Sequence, residues 1–200
     1  MKDKLNRQIA IVGIGGLGSF VSELLAREKL KLLLIDFDII KKKNINQRFC
    51  KPSYIGMKKV EAAEKELKGL TKIAYIPFDV SQAKFDASLI LDCTDSLQSR
   101  KKVLKKAEEI KCPYVFCSIS GNIGMTTIVE VSHFHKFSSI FFKKKQKQER
   151  SNAYTAAFLA SIACANVMRY LKNNAAIIFP EIIISNIDKY HVEVNKLDED

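Results

Sequence analysis

The sequence predicts an α/β fold with a doubly wound, Rossmann-like, mostly parallel sheet that has helices on both faces. Strand and helix patterns alternate along the chain, the early strands are apolar at consecutive positions, and a glycine-rich loop joins the first strand to the first helix. Such alternation is the signature of parallel strands joined by crossover helices. Consecutive apolar positions are typical of strands that are covered on both faces.

The first strand-helix-strand unit is the clearest part of the pattern. Residues 8–12 form an apolar, β-branched run that ends at Gly13. Over residues 17–28, apolar side chains recur on one face of a helix. Residues 31–36 then contain the run Leu-Leu-Leu-Ile, which is typical of an interior strand. A helical crossover between two strands is the usual connection of a parallel pair.

The later elements continue the alternation. A helix is predicted from Ser53 to about Lys68, because serine is a favourable N-cap and Gly69 follows as a stop. The other predicted helices cover residues 96–110 and 152–172, and the other strands cover residues 73–77, 89–92, 114–118 and 126–131. Residues 181–185 and 191–194 are expected to form a C-terminal antiparallel hairpin.

A single domain is predicted over residues 1–200, because a chain of 200 residues fits one hydrophobic core. Residues 133–152 contain a lysine-rich run and no sustained periodicity. We therefore expect them to form a mobile crossover loop.

Composition and charge restrict the possible classes of function. The chain starts with charged residues and has no secretory signal pattern, and its longest apolar stretch is too short to cross a bilayer. A cytoplasmic protein without a membrane partner is therefore expected. The five cysteines are irregularly spaced, which is typical of reduced thiols. The net charge of +11 comes from separate lysine runs without interleaved aromatic residues, so no nucleic-acid partner is predicted.

The glycine-rich loop is the strongest indication of a ligand. Glycine lets the backbone approach phosphate groups, and the helix that follows offers unpaired N–H groups. Asp36 ends the second strand, where a carboxylate can accept the ribose hydroxyls of a nucleotide. These features fit an NAD enzyme as well as an ATP enzyme. The candidate loop residues are Gly13, Gly15, Gly16, Leu17 and Gly18.

Polar residues further along the chain favour polyphosphate chemistry over hydride transfer. Arg48 and Lys59 can hold phosphates and neutralise developing charge, and Asp95 can place a magnesium ion. On an open α/β sheet, positions after successive strands converge on one crevice. The four segments that supply polar groups are Asp36-Phe37-Asp38, residues 44–49 (Asn-Ile-Asn-Gln-Arg-Phe), residues 56–62 and residues 91–95.

Taken in order, these motifs resemble the ThiF/MoeB/HesA family of ubiquitin-activating-like adenylyltransferases, over about residues 8–132. The resemblance implies that the glycine loop holds ATP, that Asp36 binds the ribose, that Asp38 is also part of the nucleotide site, and that Asp95 binds Mg²⁺. It also implies that Asn44, Arg48 and Lys59 contact phosphates. Many family members bind zinc through two Cys-x-x-Cys pairs that this chain lacks, so the likeness is to short, zinc-free ThiF-type members and no zinc is expected.

The implied reaction is ATP-dependent adenylation of the C-terminal glycine of a small ubiquitin-like or sulfur-carrier protein that ends in Gly-Gly, with release of pyrophosphate. Arg48, Lys59 and Asp95 are the implied catalytic residues, and the implied assembly is a homodimer. Two features depart from the family pattern. The family usually has Asn-Arg-Gln where residues 46–48 are Asn-Gln-Arg, and its N-terminal arginine has no clear counterpart here.

Three alternatives therefore stay open from the sequence. The first is a catalytically inactive or heterodimeric partner of such an enzyme. The second is an NAD-binding Rossmann oxidoreductase, which would leave Arg48, Lys59 and Asp95 without a role. The third keeps adenylation but acts on a small molecule, a peptide or a tRNA base.

Overall fold

The computed structural model describes residues 8–45, 47–142, 149 and 152–197, and these form one eight-stranded sheet with helices on both faces. The strand order is β3-β2-β1-β4-β5-β6-β7-β8. Strands β1 to β5 pair in parallel, and β6 to β8 extend the sheet in antiparallel fashion. The strands are β1 Ile9–Val12, β2 Leu32–Ile35, β3 Ile73–Ile76, β4 Leu89–Asp92, β5 Tyr114–Ser120, β6 Ile123–Val129, β7 Glu181–Asn186 and β8 His191–Lys196.

The helices cover the sheet in two layers. They are α1 Gly16–Arg27, α2 Lys59–Leu67, α3 Leu97–Glu109, α4 Phe134–Phe141 and α5 Ala153–Leu171. Buried side chains of α1, α2 and α5 share one apolar cluster on one face of the sheet, and those of α3 and α4 share a second cluster on the other face. Along β1 the side chains alternate between the clusters, as the two-residue period of a strand requires.

This architecture confirms the predicted fold class, including the C-terminal antiparallel hairpin. The chain passes from β1 to β2 on one side of the sheet and returns to β4 on the other side of β1. At such a switch point the loops after β1 and β4 separate, which leaves a crevice at the carboxyl ends of the strands. The candidate site lies at this edge.

The prediction of one helix from Ser53 to about Lys68 is wrong in its first half. Ser53 lies in a short 3₁₀ turn, Pro52–Tyr54, and α2 begins only at Lys59. Gly56 has a φ of +90°, which a helix cannot contain. The backbone of Ile40 holds this segment by accepting a bond from the N–H of Gly56 and donating one to the carbonyl of Met57.

The prediction of an irregular crossover over residues 133–152 is wrong for its first part, because Phe134–Phe141 forms α4. The ring of Phe137 is fully buried and contacts five other aromatic rings. These aromatic contacts stabilise a helix that is too short to show a clear hydrophobic periodicity in the sequence. Residues 143–148, 150 and 151 of the predicted loop lie outside the described residues.

Two helix starts agree with their predicted positions. Ser96 is the N-cap of α3 and accepts a bond from the N–H of Ser99, while Asn152 caps α5 by accepting one from the N–H of Thr155. No helix within the described ranges is long and apolar enough to cross a membrane.

Candidate nucleotide-binding site

A cavity of about 1170 Å³ opens at the carboxyl ends of β1, β2 and β4. Its size is sufficient for a nucleotide, because small-molecule sites commonly enclose about 300–1000 Å³. The structure brings nearly all the predicted residues together in its walls, namely Gly13, Gly15, Gly16, Leu17, Asp36, Asp38, Asn44, Arg48, Lys59 and Asp95. Of the predicted residues, only Gly18 is not part of the cavity lining.

The glycines of the loop have two different local roles. A Cβ atom on Gly18 would lie 1.8 Å from the carbonyl oxygen of Gly13, and one on Gly13 would lie 2.9 Å from that of Cys93. These two glycines therefore permit close packing of strand, loop and helix. A Cβ atom on Gly15 or Gly16 would meet nothing within 4 Å, so these two glycines face open space.

The first turn of α1 presents backbone donors to this space. Gly15 is the N-cap of α1 and supplies no side-chain bond, and the first turn contains no acidic residue. The free N–H groups and the positive end of the helix dipole therefore favour an anion at this point of the cavity.

A buried lysine between two aspartates forms the centre of the site. The Nζ of Lys59 donates to Oδ2 of Asp38 at 2.7 Å and lies 3.9 Å from Oδ2 of Asp36. Burial opposes the charge of Lys59, but the two carboxylates prevail and raise its pKa above the usual value. Lys59 is therefore a cation at neutral pH, held at the cavity wall.

Asp36 connects the glycine loop to the end of β2. Its Oδ2 accepts the N–H of Ile14 at 2.7 Å, and its Oδ1 accepts the N–H of Asp38 at 2.8 Å. Burial raises the pKa of this carboxyl group, while Lys59 and the two N–H donors act against the increase. Each carboxylate oxygen can accept more than one bond, so Asp36 keeps acceptor capacity toward a ribose.

Asn44 lies on the cavity wall and shapes the turn that carries it. Its Oδ1 accepts the N–H of Lys41 at 2.9 Å and closes the 3₁₀ turn Lys42–Asn44. Asn44 therefore stabilises the turn that begins at Lys41, and its side-chain amide nitrogen is a donor that this bond does not use.

Arg48 reaches the cavity although its position in the motif is displaced. Its Nε pairs with Oε2 of Glu23 on α1, and its guanidinium lies over the ring of Phe20 at 5.5 Å. Gln47, which occupies the family's usual arginine position, also lines the cavity.

Asp95 is an exposed carboxylate at the cavity. The N-cap of α3 is its neighbour Ser96, and Asp95 makes no hydrogen bond or ion pair within the part of the chain that the structure describes. The turn before it is fixed by the fully buried Asp92, whose Oδ1 accepts both the N–H and the hydroxyl of Thr94 at 2.9 and 2.6 Å.

Several lining residues were missed by sequence reasoning. Arg100 on α3 is buried, with its Nη1 2.7 Å from the carbonyl oxygen of Cys117 and 3.6 Å from Oδ2 of Asp92. No local pattern marks it, because it lies inside an ordinary lysine-rich helix. Phe37 and Phe78 are exposed at the cavity, and their positions, each two residues past the end of a strand (β2 and β3), are the signal that could have identified them.

The arrangement has limits as a metal site. No group of three or more His, Cys, Asp or Glu side chains among the described residues is close enough together to hold a metal ion. Magnesium, however, usually takes only one or two protein carboxylates and completes its shell with waters and substrate phosphates. The unpaired carboxylate of Asp95 fits that mode of binding.

Fold and site together define a Rossmann-like α/β protein with a cavity built for a nucleotide. The chain belongs to the ThiF family, which it matches over residues 1–198. The resemblance inferred from the four motifs is thereby confirmed.

Curated relatives of this chain are longer proteins. Ubiquitin-like modifier-activating enzyme 5 of Xenopus laevis is 26% identical over 208 residues, which cover 86% of this chain and 52% of the relative. The protein of that name from Caenorhabditis briggsae is 30% identical over 204 residues, which cover 84% of this chain and 47% of the relative. The chain thus spans about half the length of the curated relatives it matches.

A solved structure shows the same fold. Escherichia coli MccB, solved with ATP, superimposes with a TM-score of 0.77 at 20% sequence identity, over 98% of this chain and 65% of that chain. At this identity the similarity concerns the architecture of the domain.

Proposed function

We propose that this chain uses ATP and Mg²⁺ to adenylate the C-terminal glycine of a small ubiquitin-like or sulfur-carrier protein that ends in Gly-Gly. Membership of the ThiF family supports this reaction class. The observation that carries the proposal is the combination, in one cavity, of an open glycine loop at a helix N-terminus, a buried ionised lysine and an unpaired carboxylate.

The reaction is a displacement at the α-phosphorus of ATP. A carboxylate oxygen of the terminal glycine forms the new P–O bond, and the bond between the α-phosphorus and the bridging oxygen breaks, so pyrophosphate leaves with the electron pair. The product is an acyl-adenylate. Because the attacking carboxylate is already ionised, the site needs no general base and acts through orientation and charge neutralisation.

The cations of this chain fit that task. Lys59 is charged and fixed by Asp36 and Asp38, so it can face developing negative charge without reorganising. The N–H groups of the first turn of α1 offer further donors to the phosphates. Asp95 would hold Mg²⁺, which supplies charge neutralisation on the phosphates when it is bound.

The nucleoside end of ATP would lie toward β2 and β3. Asp36 keeps acceptor capacity for the ribose, and the exposed rings of Phe37 and Phe78 give this part of the cavity an apolar border. A base is largely aromatic surface, so such a border suits it. A homodimer in the cytoplasm is the proposed setting of the reaction, and light scattering of the purified chain tests the assembly.

Pyrophosphate–ATP exchange tests the proposal. Candidate carriers that end in Gly-Gly should induce exchange, because adenylate formation is reversible and needs no later acceptor. We expect Lys59→Ala and Asp95→Ala each to reduce the exchange rate at least about a hundredfold, the scale reported for removal of one group that stabilises transition-state charge. Lys65→Ala, on the exposed side of α2, is the matched lysine control and should keep wild-type exchange.

Other outcomes would favour the alternatives. ATP binding without exchange for any carrier would support an inactive partner or an adenylating enzyme with a different substrate. Binding of NAD in preference to ATP would contradict the proposal, and Arg48, Lys59 and Asp95 would then be unexplained.

A further inference from the structure

The carboxylate of Glu23 joins two arginines on the surface of α1. Its Oε1 accepts bonds from Nε and Nη2 of Arg27 at 3.0 and 2.7 Å, and its Oε2 pairs with Nε of Arg48. Only 12% of the Glu23 side chain is exposed, whereas 61% of the Arg27 side chain is exposed. A carboxylate this buried is a fixed anchor for its partners.

The pairing with Glu23 leaves part of Arg48 accessible from the cavity. The closest contact is made by Nε, and 40% of the Arg48 side chain is exposed, so the guanidinium also carries two terminal amino groups. These two amino groups form the fork that binds phosphate oxygens in a bidentate manner. The guanidinium also lies over Phe20, which lines the same cavity, so two contacts fix its plane.

The ion pair explains how the displaced arginine can still serve the cavity. Arg48 follows the usual motif position by one residue, and it lies outside the helices and strands, ahead of the 3₁₀ turn Pro52–Tyr54. Residue 23 belongs to the helix whose first turn carries the glycine loop. Glu23 thus connects Arg48 to the same rigid element that faces the phosphates.

We propose that Glu23 is a positioning residue, which holds Arg48 at the cavity wall so that its terminal amino groups bind the β- and γ-phosphates of ATP. The inference rests on the proposed ATP site. It makes Arg48 a contributor to triphosphate binding in spite of its shifted place in the sequence, and it assigns Arg27 no part in the ligand site.

The direction in which Glu23→Gln changes the ATP affinity distinguishes a positioning role from a purely electrostatic one. Glu23→Gln removes a negative charge near the cavity, so a purely coulombic effect would make ATP bind more tightly. If Glu23 instead positions Arg48, the same substitution makes ATP bind more weakly, because the freed arginine loses its fixed orientation. AMP lacks the β- and γ-phosphates and should not respond.

Titration calorimetry with ATP and with AMP tests the proposal on the full chain. We expect Glu23→Gln to weaken ATP binding about tenfold, the effect of losing one charge-assisted hydrogen bond, and to leave AMP binding within about twofold. Arg48→Ala should give the same pattern. In the Arg48→Ala background, Glu23→Gln should no longer weaken ATP binding, because the arginine that it positions is absent. Arg27→Ala, which removes the other partner of Glu23, is the control and should bind both nucleotides normally.

Each contrary result identifies what has failed. A wild-type chain that binds no ATP would overturn the proposed function and the role of Glu23 with it. Normal or tighter ATP binding by Glu23→Gln would overturn the positioning role alone, and equal weakening of ATP and AMP would assign Glu23 to stability instead. If Glu23→Gln shows no cooperative thermal transition, Glu23→Asp retains the charge on a shorter side chain and should selectively weaken ATP, and unchanged ATP affinity in that variant would overturn the proposal.

Discussion

Because Gly18 is packed against the backbone and Gly16 faces open space, substitutions at these two positions should affect stability and ligand affinity separately. An alanine at residue 18 would place its Cβ 1.8 Å from the carbonyl oxygen of Gly13, so the backbone would have to move by more than an ångström. We expect Gly18→Ala to lower the free energy of unfolding by about 3 kcal/mol, the upper end of typical overpacking costs. An alanine at residue 16 would meet nothing within 4 Å and favours a helix, so Gly16→Ala should raise the free energy of unfolding by up to about 1 kcal/mol.

Gly13 and Gly69 form a matched pair that isolates the steric contribution. Both have a φ of +89°, but a Cβ on Gly13 would meet the Cys93 carbonyl oxygen at 2.9 Å, whereas one on Gly69 would meet nothing. Gly69→Ala should therefore cost only the conformational strain of about 1–2 kcal/mol, and Gly13→Ala should cost more.

Urea unfolding and calorimetric ATP binding provide the assay. The added methyl group of Gly16→Ala projects into the cavity, so that variant should lose at least about tenfold in ATP affinity while it keeps full stability. Wild-type ATP affinity in Gly16→Ala would refute the assignment of this loop to phosphate binding. Stability of Gly18→Ala within about 1 kcal/mol of wild type would refute the packing argument.

Three further predictions concern groups elsewhere in the chain. Burial alone would raise the pKa of Glu23, but its two arginine partners hold that pKa below the usual 4.5. The stabilisation from these ion pairs is therefore complete above pH 4.5 and is lost as the pH falls through the lowered pKa. In urea unfolding, the stability advantage of wild type over Glu23→Gln should disappear in acid, and an advantage that persists there would contradict the ion pair. Phe137→Ala should lower the free energy of unfolding by about 3–5 kcal/mol because the ring is fully buried, whereas Tyr154→Ala, at an exposed ring, should change it by less than about 0.5 kcal/mol. Equal effects of the two substitutions in urea unfolding would contradict the claim that buried aromatic contacts stabilise α4. All five cysteines are buried, and burial raises the pKa of Cys112 to about 12. A thiol reagent should therefore label the chain only after unfolding, and rapid labelling of the native chain would contradict the burial of the thiols.

The sequence was sufficient for the parts of the fold that depend on local patterns. The interior strands, the crossover helices and the two caps at Ser96 and Asn152 follow from periodicity and hydrogen-bonding residue types. The late start of α2 at Lys59 could not be predicted, because it depends on backbone bonds between Ile40 and the segment around Gly56. Helix α4 was missed because its stability comes from aromatic rings on distant elements.

The candidate site, too, could be predicted from the sequence only in part. The motifs gave the residues of the cavity, since the ends of neighbouring parallel strands meet by geometry. They could not indicate that Glu23, 25 positions before Arg48, would hold that arginine against α1. Nor could they separate Gly18 from Gly16, because that distinction depends on which atoms surround each glycine after folding.

Transfer of a labelled phosphate tests the central claim most directly. The chain is incubated with a Gly-Gly carrier and with ATP labelled at either the α- or the γ-phosphate, and the carrier is then separated under acid conditions. The account predicts that the α-label moves to the carrier terminus and that the γ-label leaves as pyrophosphate. The Lys59→Ala variant should neither label the carrier nor release labelled pyrophosphate. Label from the γ-phosphate on the carrier, or no label from either position while ATP is bound, would contradict it.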